Sequence, residues 1–572
     1  MSPLFKKCLG FLLEYKLLVL IFVLALTGRL ILLTYAPPAL NWDEVSHGYN
    51  AYSILKTGSD EWGKLLPLSN FRAYGDYPLP LNLYLTIPFI AIFGLNDLSV
   101  RLPHALLGAL TAVAAYFLSW GLTKSKRISL LSALLVTIEP WSFFLSRFVV
   151  QSNLSVFFLT ASLAAFFNRH KNVYLLPVSI LFLGLTLYSY HTTRILAPVL
   201  LILGYLVYRK SIWEVFQNHA KAKFLSVVFL LVFFVPLPFI FLNSDATARS
   251  RFTFILNEGA ISKIVELRQK SQLPETVKRF VFNRPTYFVS QFLGNYVDYF
   301  SPKFLFTEGG TQFQFSVPAR GLLYPLGLPF FYLGLFWVIR KAFKGKSDYR
   351  FVLAWLALGP IPAAITTEPN AVVRATTMLP LPMIITAIGL EGFAKWVSTR
   401  TKIPSSLSLY LIYIVILALF VESYLKVYFI DYRNNYSWAW QYGYRQMVEY
   451  VKGNYQKYDK VIITKKYGEP HEFLLFYWPW DPAKYKEDPN LIRFYQSGWY
   501  WVDRFDKFYF VNDWEIAGNT DTFALESRNT VDCSVAKTCL LVTSPGNYPS
   551  GWKRVETINF LDGTFAFEIL EN

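Results

Sequence analysis

Long apolar segments constrain this chain more than any other feature of its sequence. The first, LLVLIFVLALTGRLILLTY, is followed by others of similar length and hydrophobicity. A bilayer core about 30 Å thick requires about 20 mostly apolar residues per helix, so each segment is a candidate transmembrane helix. The sequence therefore predicts an α-helical polytopic membrane protein with about eleven transmembrane helices. The predicted spans are 17–36, 100–120, 128–146, 152–168, 173–189, 194–209, 224–242, 321–340, 350–367, 375–393 and 405–423.

The charged residues support this class and indicate an orientation. Only 16% of the residues are charged, and the formal net charge of +17 comes from Lys and Arg in short loops between alternate spans. This distribution is typical of the positive-inside rule and argues against nucleic-acid binding. If Lys6 and Lys7 place the N-terminus in the cytoplasm, every one of these basic loops is cytoplasmic. We expect an integral protein of the plasma (cell inner) membrane with a cytoplasmic N-terminus.

The outer side then receives two long loops, 37–99 and 243–320, and everything after residue 423. We predict a transmembrane domain, 1–423, and an extracytoplasmic soluble α/β domain, 424–572. The second contains short strands such as DKVIITK and a hairpin turning at Asp562-Gly563. Two questions stay open: whether loop 243–320 is a mobile lid or a structural loop, and whether Cys533 and Cys539 form a disulfide or remain free thiols.

Two adjacent carboxylates, Asp43 and Glu44, follow the first predicted span in NWDEVSHGYN. Ionisable side chains at a membrane boundary are costly and suggest function. Asp43 stands at the start of a predicted helix, where it could instead serve as the N-cap. His47 would lie on the same helix face, where it could orient a base, contact an acceptor or simply pack.

Arginines at the outer ends of the spans add a second candidate feature. The positive-inside rule does not explain them, and arginine binds phosphate in bidentate geometry, although each could also snorkel singly. Facing a carboxylate pair, they suggest a general base acting against a departing lipid phosphate. These arginines are Arg101, Arg147, Arg194 and Arg374, and His191 lies near Arg194 in the sequence.

Several motifs in these regions resemble a known family. They are WDEVSHGYNAYSIL, YPLPLNLYLTIPFIAIFGLNDLSVRLPHALLGAL, SRFVVQSNLSVFFL, LYSYHTTRILAPVLL, GLLYPLGLPFFYLGLF and WLALGPIPAAITTEPNAVVRATTMLPLPMI. Together they resemble the C-type (GT-C) membrane glycosyltransferases, in the branch that contains protein O-mannosyltransferases and the lipid A aminoarabinose transferase. These enzymes use polyprenyl-phosphate sugars. The resemblance covers most of residues 1–423 and is weaker in the C-terminal domain.

The resemblance implies a role for individual residues. Asp43 takes the place of the catalytic base, Glu44 is the adjacent acid that shapes the site, and Arg101 matches an arginine associated with the donor phosphate. We assign Arg194 and Arg374 to the same phosphate from position and charge. The remaining candidate substrate-binding residues are His47, His191, Tyr77 and Arg147. The family's second carboxylate is replaced here by Gln151 and Asn153.

The implied reaction is inverting transfer of a sugar from a polyprenyl-phosphate donor to a lipid, glycan or protein acceptor on the extracytoplasmic face. Such enzymes act in protein glycosylation and the cell envelope. No cofactor is expected to be required and no metal site is predicted, although Asp43, Glu44 and His47 together could hold a divalent ion. Two alternatives remain: an oligosaccharide transferase or ligase with a lipid-pyrophosphate donor, and a transporter or flippase for lipid-linked sugars.

Overall fold

The computed structural model describes residues 14–242, 253–400, 406–496, 498–516, 521–534 and 538–572. Lys6, Lys7 and the first part of the predicted loop 243–320 lie outside the described residues. Two compact units are present. Unit 1 contains the described parts of Met1–Ile31, His104–Ser146 and Val150–Leu425, and unit 2 contains those of Leu32–Pro103, Arg147–Val149 and Lys426–Asn572.

The α-helices are numbered in chain order. They are α1 Lys16–Leu30, α2 Trp42–Thr57, α3 Leu81–Phe93, α4 Asp97–Thr123, α5 Lys126–Ile138, α6 Pro140–Leu145, α7 Gln151–Asn168, α8 Leu175–Leu187, α9 Thr193–Asn218, α10 Ala220–Phe234, α11 Pro236–Phe241, α12 Glu258–Lys270, α13 Glu275–Val281, α14 Arg284–Asp298, α15 Leu328–Phe343, α16 Ser347–Leu358, α17 Ile361–Ala364, α18 Leu381–Arg400, α19 Ser406–Lys426, α20 Arg433–Asn435, α21 Tyr444–Gly453, α22 Pro470–Tyr477 and α23 Pro482–Lys486.

Helices long and apolar enough to cross a membrane make up much of unit 1. Among the described residues there are five such segments: Asp97–Thr123, Thr193–Asn218, Ala220–Phe241, Pro325–Phe343 and Ser408–Asn435. In Ala220–Phe241 only 11% of the most apolar window is buried. Its outward side chains include Phe224 and Phe239, which are 67% and 71% exposed. A continuous apolar surface of this kind is suited to lipid contact. The predicted number of about eleven spans stays a prediction.

A close helix contact in unit 1 joins α15 to α18. A Cβ atom built on Gly389 of α18 would lie 1.8 Å from the carbonyl oxygen of Phe330 in α15. A Cβ on Gly334 would lie 1.9 Å from the carbonyl oxygen of Ile385. Both glycines therefore allow backbone to touch backbone, which is how small residues pack membrane helices.

Unit 2 contains a mixed β-sheet. Its strands are β1 Lys460–Thr464, β2 Ile492–Gln496, β3 Trp499–Phe505, β4 Phe508–Val511, β5 Thr522–Ala524, β6 Thr530–Asp532, β7 Cys539–Thr543, β8 Lys553–Asn559 and β9 Phe565–Glu571. Within the described part of the chain, seven of them form one sheet in the order β2-β3-β4-β1-β7-β9-β8, and β5 pairs with β6. The central strand β1 pairs in parallel with β4 and β7, while the outer pairings are antiparallel.

The sheet is covered on both faces, and its central strand β1 is therefore buried from Val461 to Thr464. Along β1, Val461 and Ile463 pack into one apolar cluster and Ile462 into another. The first cluster also holds Val45 of α2 and Phe476 of α22. A Cβ atom on Gly48 of α2 would lie 2.5 Å from the Phe476 ring. Helix α2, which carries the candidate site residues Asp43 and Glu44, therefore packs directly against the C-terminal domain.

The C-terminal hairpin follows the sequence prediction. Strands β8 and β9 pair antiparallel around Asp562 and Gly563, and Gly563 has a positive φ of 88°. Cys533 and Cys539 form a disulfide. The class predicted from the sequence, an α-helical membrane protein with a C-terminal sheet domain, is confirmed. The predicted boundary at 423/424 stays a prediction, but residues 32–103 group with 426–572 rather than with the transmembrane helices that follow them.

The contact between α15 and α18 predicts a selective effect of added methyl groups. Gly389→Ala should lower the melting temperature in detergent by several degrees, because the methyl group forces two backbones apart at a cost of about 1–3 kcal/mol. Gly294→Ala in α14 is the matched control, since a Cβ there meets nothing within 4 Å. We expect it to melt at or above the wild-type temperature. Equal melting of both variants would contradict the close packing.

Candidate active site

A buried ion pair, Glu44–Arg101, organises the start of helix α2. Arg101 donates from Nε to Oε1 of Glu44 at 2.9 Å and from Nη2 to Oε2 at 2.9 Å. Both side chains are fully buried. Two backbone amides complete the carboxylate: the Asn41 amide donates to Oε2 at 3.2 Å and the Val149 amide to Oε1 at 3.0 Å. Glu44 is thus a satisfied buried anion, which is the condition under which a charge can be buried at all.

The rest of the Arg101 guanidinium holds the chain segment that precedes α2. Nη1 donates to the carbonyl oxygens of Leu33 at 3.1 Å and Pro37 at 2.9 Å, and Nη2 donates to that of Ala39. Together with the two bonds to Glu44, these contacts use all five N–H groups. The structure therefore gives Arg101 partners within unit 2 in place of the predicted donor phosphate, and its phosphate role stays a prediction.

Asp43 immediately precedes Glu44, in the first turn of α2. The N-cap is Asn41, whose side chain accepts from the Glu44 amide at 3.0 Å in a complete capping box. The alternative role for Asp43 as the N-cap is therefore wrong. Its half-buried carboxylate accepts a hydrogen bond from the hydroxyl of Tyr74, whose ring stacks on Trp499 with centroids 5.3 Å apart.

His47 is 6% exposed, and its Nδ1 lies 2.6 Å from the backbone carbonyl oxygen of Asp43. Its contact with Asp43 is thus through the main chain rather than the carboxylate. Burial lowers the pKa of His47 to about 4, so the ring is neutral at physiological pH. Because Arg101 engages both oxygens of Glu44, the geometry gives no support to a divalent ion shared by Asp43, Glu44 and His47.

Tyr77 lies in an aromatic cluster of the same unit. Its hydroxyl is 3.1 Å from that of Tyr500, and the guanidinium of Arg72 lies 4.4 Å from the Tyr500 ring centre and 5.1 Å from that of Trp62. Sequence reasoning did not single out Arg72, Tyr74 or the distant Trp499. The motif FRAYGDYP, which mixes arginine and tyrosine beside the acidic helix, is the signal that would have found the first two.

Arg147 is fully buried and binds the segment after α1, as Arg101 does. It donates from Nη2 to the carbonyl oxygens of Leu32 at 2.8 Å and Ala36 at 3.0 Å. Its guanidinium also lies 5.6 Å from the ring centre of Tyr428. These contacts support the backbone near the site, and the predicted substrate-binding role of Arg147 stays a prediction.

The other predicted site residues belong to unit 1. Arg194, 3% exposed, stands in the first turn of α9 and donates from Nε to the carbonyl oxygen of Leu187 at 3.1 Å. His191 precedes it and is half-buried. Arg374 donates from Nη1 to Glu368 at 2.7 Å and to the Thr366 hydroxyl at 3.2 Å. The structure thus brings Asp43, Glu44, His47 and Arg101 together in unit 2, and places the three others in unit 1.

Sequence comparisons find similarity over parts of the chain. Residues 76–239 match the protein-family model described as dolichyl-phosphate-mannose-protein mannosyltransferase. Over 132 residues the chain is 31% identical to an uncharacterized protein of Aquifex aeolicus (strain VF5). That match covers 23% of this chain and 26% of the relative, so the chain spans about a quarter of the relative's length.

Solved structures extend the similarity to the fold. ArnT from Cupriavidus metallidurans bound to undecaprenyl phosphate aligns over 97% of this chain and 98% of its own, with a TM-score of 0.50 and 12% identity. The archaeal oligosaccharyltransferase AglB from Archaeoglobus fulgidus, in complex with an inhibitory peptide and a dolichol-phosphate, aligns over 80% of this chain and 63% of its own, with a TM-score of 0.49 and 14% identity. The resemblance predicted from the sequence is confirmed to this extent: residues 76–239 match the mannosyltransferase family model, and the fold is similar to that of ArnT.

Proposed function

We propose that this protein is a membrane glycosyltransferase that transfers a sugar from a polyprenyl-phosphate donor to an acceptor on the extracytoplasmic face. The observation that carries the proposal is the position of Asp43. Its half-buried carboxylate stands at the start of α2, and the neighbouring Glu44 is fixed by Arg101. The matching family model, which is named for a dolichyl-phosphate-linked sugar, supports the donor class.

The chemistry that we propose is a single displacement. The acceptor hydroxyl or amine attacks the anomeric carbon while Asp43 takes its proton, and the bond from that carbon to the phosphate oxygen breaks. The polyprenyl phosphate leaves with the electron pair, and the sugar's anomeric configuration inverts. The neutral His47 ring does not compete with Asp43 for the proton, because burial keeps its pKa near 4.

Cationic groups are needed where the phosphate leaves. Arg374 suits this role because its side chain is 16% exposed and paired with the partly exposed Glu368, so a phosphate could replace that carboxylate. Arg194 is the second candidate, and Arg101 the third, because its bonds within unit 2 would first have to break. The extracytoplasmic location of the site and C-terminal domain is part of the proposal. The disulfide between Cys533 and Cys539 supports it, since disulfides persist in oxidising compartments.

A reconstituted assay tests the reaction class and the base together. The full chain in proteoliposomes should transfer label from one of a panel of synthetic polyprenyl-phosphate sugars and release a lipid with a single phosphate. Asp43→Asn should fold normally and lower turnover by about 10²–10⁴-fold, because general-base catalysis is lost. Asp562→Asn, in the exposed hairpin turn, is the control for an Asp-to-Asn change away from the proposed site, and it should keep wild-type turnover.

The other outcomes of this assay favour the alternatives. A released lipid with two phosphates would favour an oligosaccharide transferase or ligase with a pyrophosphate donor. Movement of label across the bilayer without transfer would favour a transporter or flippase. Wild-type turnover by Asp43→Asn would exclude Asp43 as the base.

The hydrogen bond from Tyr74 to Asp43 predicts a shift in the pH dependence of the reaction. The hydroxyl stabilises the ionised carboxylate, and the reaction requires that ionised form. Tyr74→Phe removes this donor but keeps the ring on Trp499, so the acid limb of the kcat/KM profile should move up by about one pH unit. Tyr84→Phe removes a hydroxyl that donates to the Pro67 carbonyl, and is the matched control. An unshifted limb in Tyr74→Phe would show that this bond does not act on the base.

Matched arginine-to-lysine substitutions separate support of the backbone from phosphate binding. Arg101→Lys should destabilise the protein by about 2–4 kcal/mol, because lysine cannot reproduce the bidentate pair and the three carbonyl contacts. Arg374→Lys should raise the KM for the donor with little change in melting temperature. Melting curves and donor titrations check both. The reverse pattern, with a donor effect at Arg101 and a stability effect at Arg374, would exchange the two roles.

A further inference from the structure

A second cluster of ionisable side chains lies in unit 2, apart from the Glu44–Arg101 pair. Among the described residues, Glu61, His471 and Glu472 each offer one potential ligand atom, and these atoms lie within 4.8 Å of one another. All three residues are at most 2% exposed. Glu61 belongs to the loop after α2, whereas His471 and Glu472 lie in the first turn of α22. We propose that this cluster is a binding site for a divalent metal ion of the zinc class.

Unsatisfied polar atoms point to a missing partner at this cluster. Oε2 of Glu472 and Nδ1 of His471 are buried and have no hydrogen-bond partner among the residues that the structure describes. Buried polar atoms in folded proteins nearly always have a partner, so each orphan requires an explanation. A metal ion explains the Glu472 oxygen directly, because carboxylate and imidazole are ordinary zinc ligands.

The two sides of the His471 ring have the arrangement expected of a metal ligand. Nε2 lies 3.9 Å from Oε1 of Glu472, and Nδ1 lies 3.5 Å from Oε2 of Glu469. Ligand atoms on tetrahedral zinc lie about 3.3 Å apart, so Nε2 and Glu472 need to move by only a fraction of an ångström. Glu469 then serves as the outer carboxylate that receives the Nδ1 proton and orients the ring, as is usual for metal-bound histidines. The Trp499 indole, which donates to Oε1 of Glu469 at 2.5 Å, holds that carboxylate in place.

The charge balance also favours a cation. Glu61, Glu469 and Glu472 are buried carboxylates, and the Arg493 guanidinium lies beside Glu61, with Nη2 3.5 Å from its Oε1. Lys465 is also nearby but is paired with the fully buried Asp503. A bound divalent cation would bring the three carboxylates and Arg493 to electrical neutrality.

Protonation is the competing solution for these carboxylates. Burial raises the pKa of Glu61 and of Glu472, and it raises that of Glu469 to about 7. The two glutamates could therefore share a proton instead of a metal ion. A shared proton would not engage the His471 ring, whereas a metal ion would bind its Nε2 together with the two carboxylates, which is why the geometry favours the metal.

A metal at this cluster would have a structural role in the active-site region. Asn50 of α2 donates from Nδ2 to Oε2 of Glu61 at 3.4 Å and accepts from the Glu61 amide at 3.0 Å. Ser46, one turn earlier, interacts with Glu472. The ion would thus tie the loop after α2 and helix α22 to the helix that carries Asp43. No local pattern in the sequence indicates this cluster, because Glu61 is remote in the chain from the His471-Glu472 pair.

Metal analysis of the full chain tests the proposal without any measurement of activity. Protein purified in detergent with metal-free buffers should retain, or take up when Zn²⁺ is added, about one equivalent per chain. Chelation should lower the melting temperature by several degrees and Zn²⁺ should restore it. Co²⁺ should give the visible absorption of a bound, low-coordinate ion. Less than a tenth of an equivalent, with melting unaffected by chelator or Zn²⁺, would overturn the proposal in favour of a shared proton.

A matched pair of variants locates the site. Glu472→Gln should abolish the Co²⁺ absorption and the Zn²⁺-dependent rise in melting temperature. Glu568→Gln changes a buried glutamate of β9 that accepts from Arg554 and the Gly546 amide, and it should retain both signals. Equal metal binding by both variants would overturn the assignment. If Glu472→Gln fails to fold, the wild-type titration still decides. Metal content and sugar transfer are separate readouts. An active enzyme without metal would contradict the metal site, whereas a metal-loaded protein without transfer activity would contradict the proposed function.

Discussion

The buried pair of Glu44 and Arg101 is the interaction on which the candidate active site depends. Removing two charges from water is costly, and the attraction between them offsets that cost only when the remaining polar atoms are satisfied. Here they are satisfied by backbone groups: the amides of Asn41 and Val149 for the carboxylate, and the carbonyls of Leu33, Pro37 and Ala39 for the guanidinium. The pair therefore fixes the course of the chain into α2 as well as the start of the helix.

This arrangement gives the adjacent carboxylates of Asp43 and Glu44 different environments. Successive residues on an α-helix point about 100° apart, so a helix that buries Glu44 turns Asp43 away from the same pocket. Glu44 gains a cation and four hydrogen bonds, and it is committed to structure. Asp43 is half-buried and meets the hydroxyl of Tyr74. One residue anchors the helix, and the next keeps its carboxylate partly exposed.

Local patterns were sufficient to predict much of the fold. Hydropathy predicted the long apolar helices, and the alternation around Asp562-Gly563 predicted the β8–β9 hairpin, because both signals lie within one element. The N-terminus of α2 could also be predicted locally. The spacing of Asn41 and Glu44 is that of a capping box, yet the neighbouring Asp43 was an equally good cap by composition.

Long-range contacts decide what the sequence could not show. Arginines at the ends of spans suggested phosphate ligands, and that role stays a prediction. The structure shows that Arg101 and Arg147 bind carbonyl oxygens of residues 32–39. That segment has left the helical hydrogen-bonding pattern of α1, and Pro37 and Pro38 contribute no amide donors of their own. The carbonyls of Leu33, Pro37 and Ala39 take their donors from the distant Arg101, and no local signal in the sequence specifies that partner.

The surrounding cations and hydrogen-bond partners, rather than the residue type, set the role of each acidic side chain discussed in unit 2. The proposed general base must be accessible to its substrate, and Asp43 is the half-buried carboxylate of the adjacent pair. A structural acid needs a fixed cation, which Glu44 has in Arg101. Glu61 and Glu472 have burial without an equivalent cation, because they share the guanidinium of Arg493. Such a group must either take up protons or bind a metal ion. The His471 ring distinguishes these two solutions, since a proton shared between Glu61 and Glu472 would not engage it, whereas a metal ion would engage all three residues.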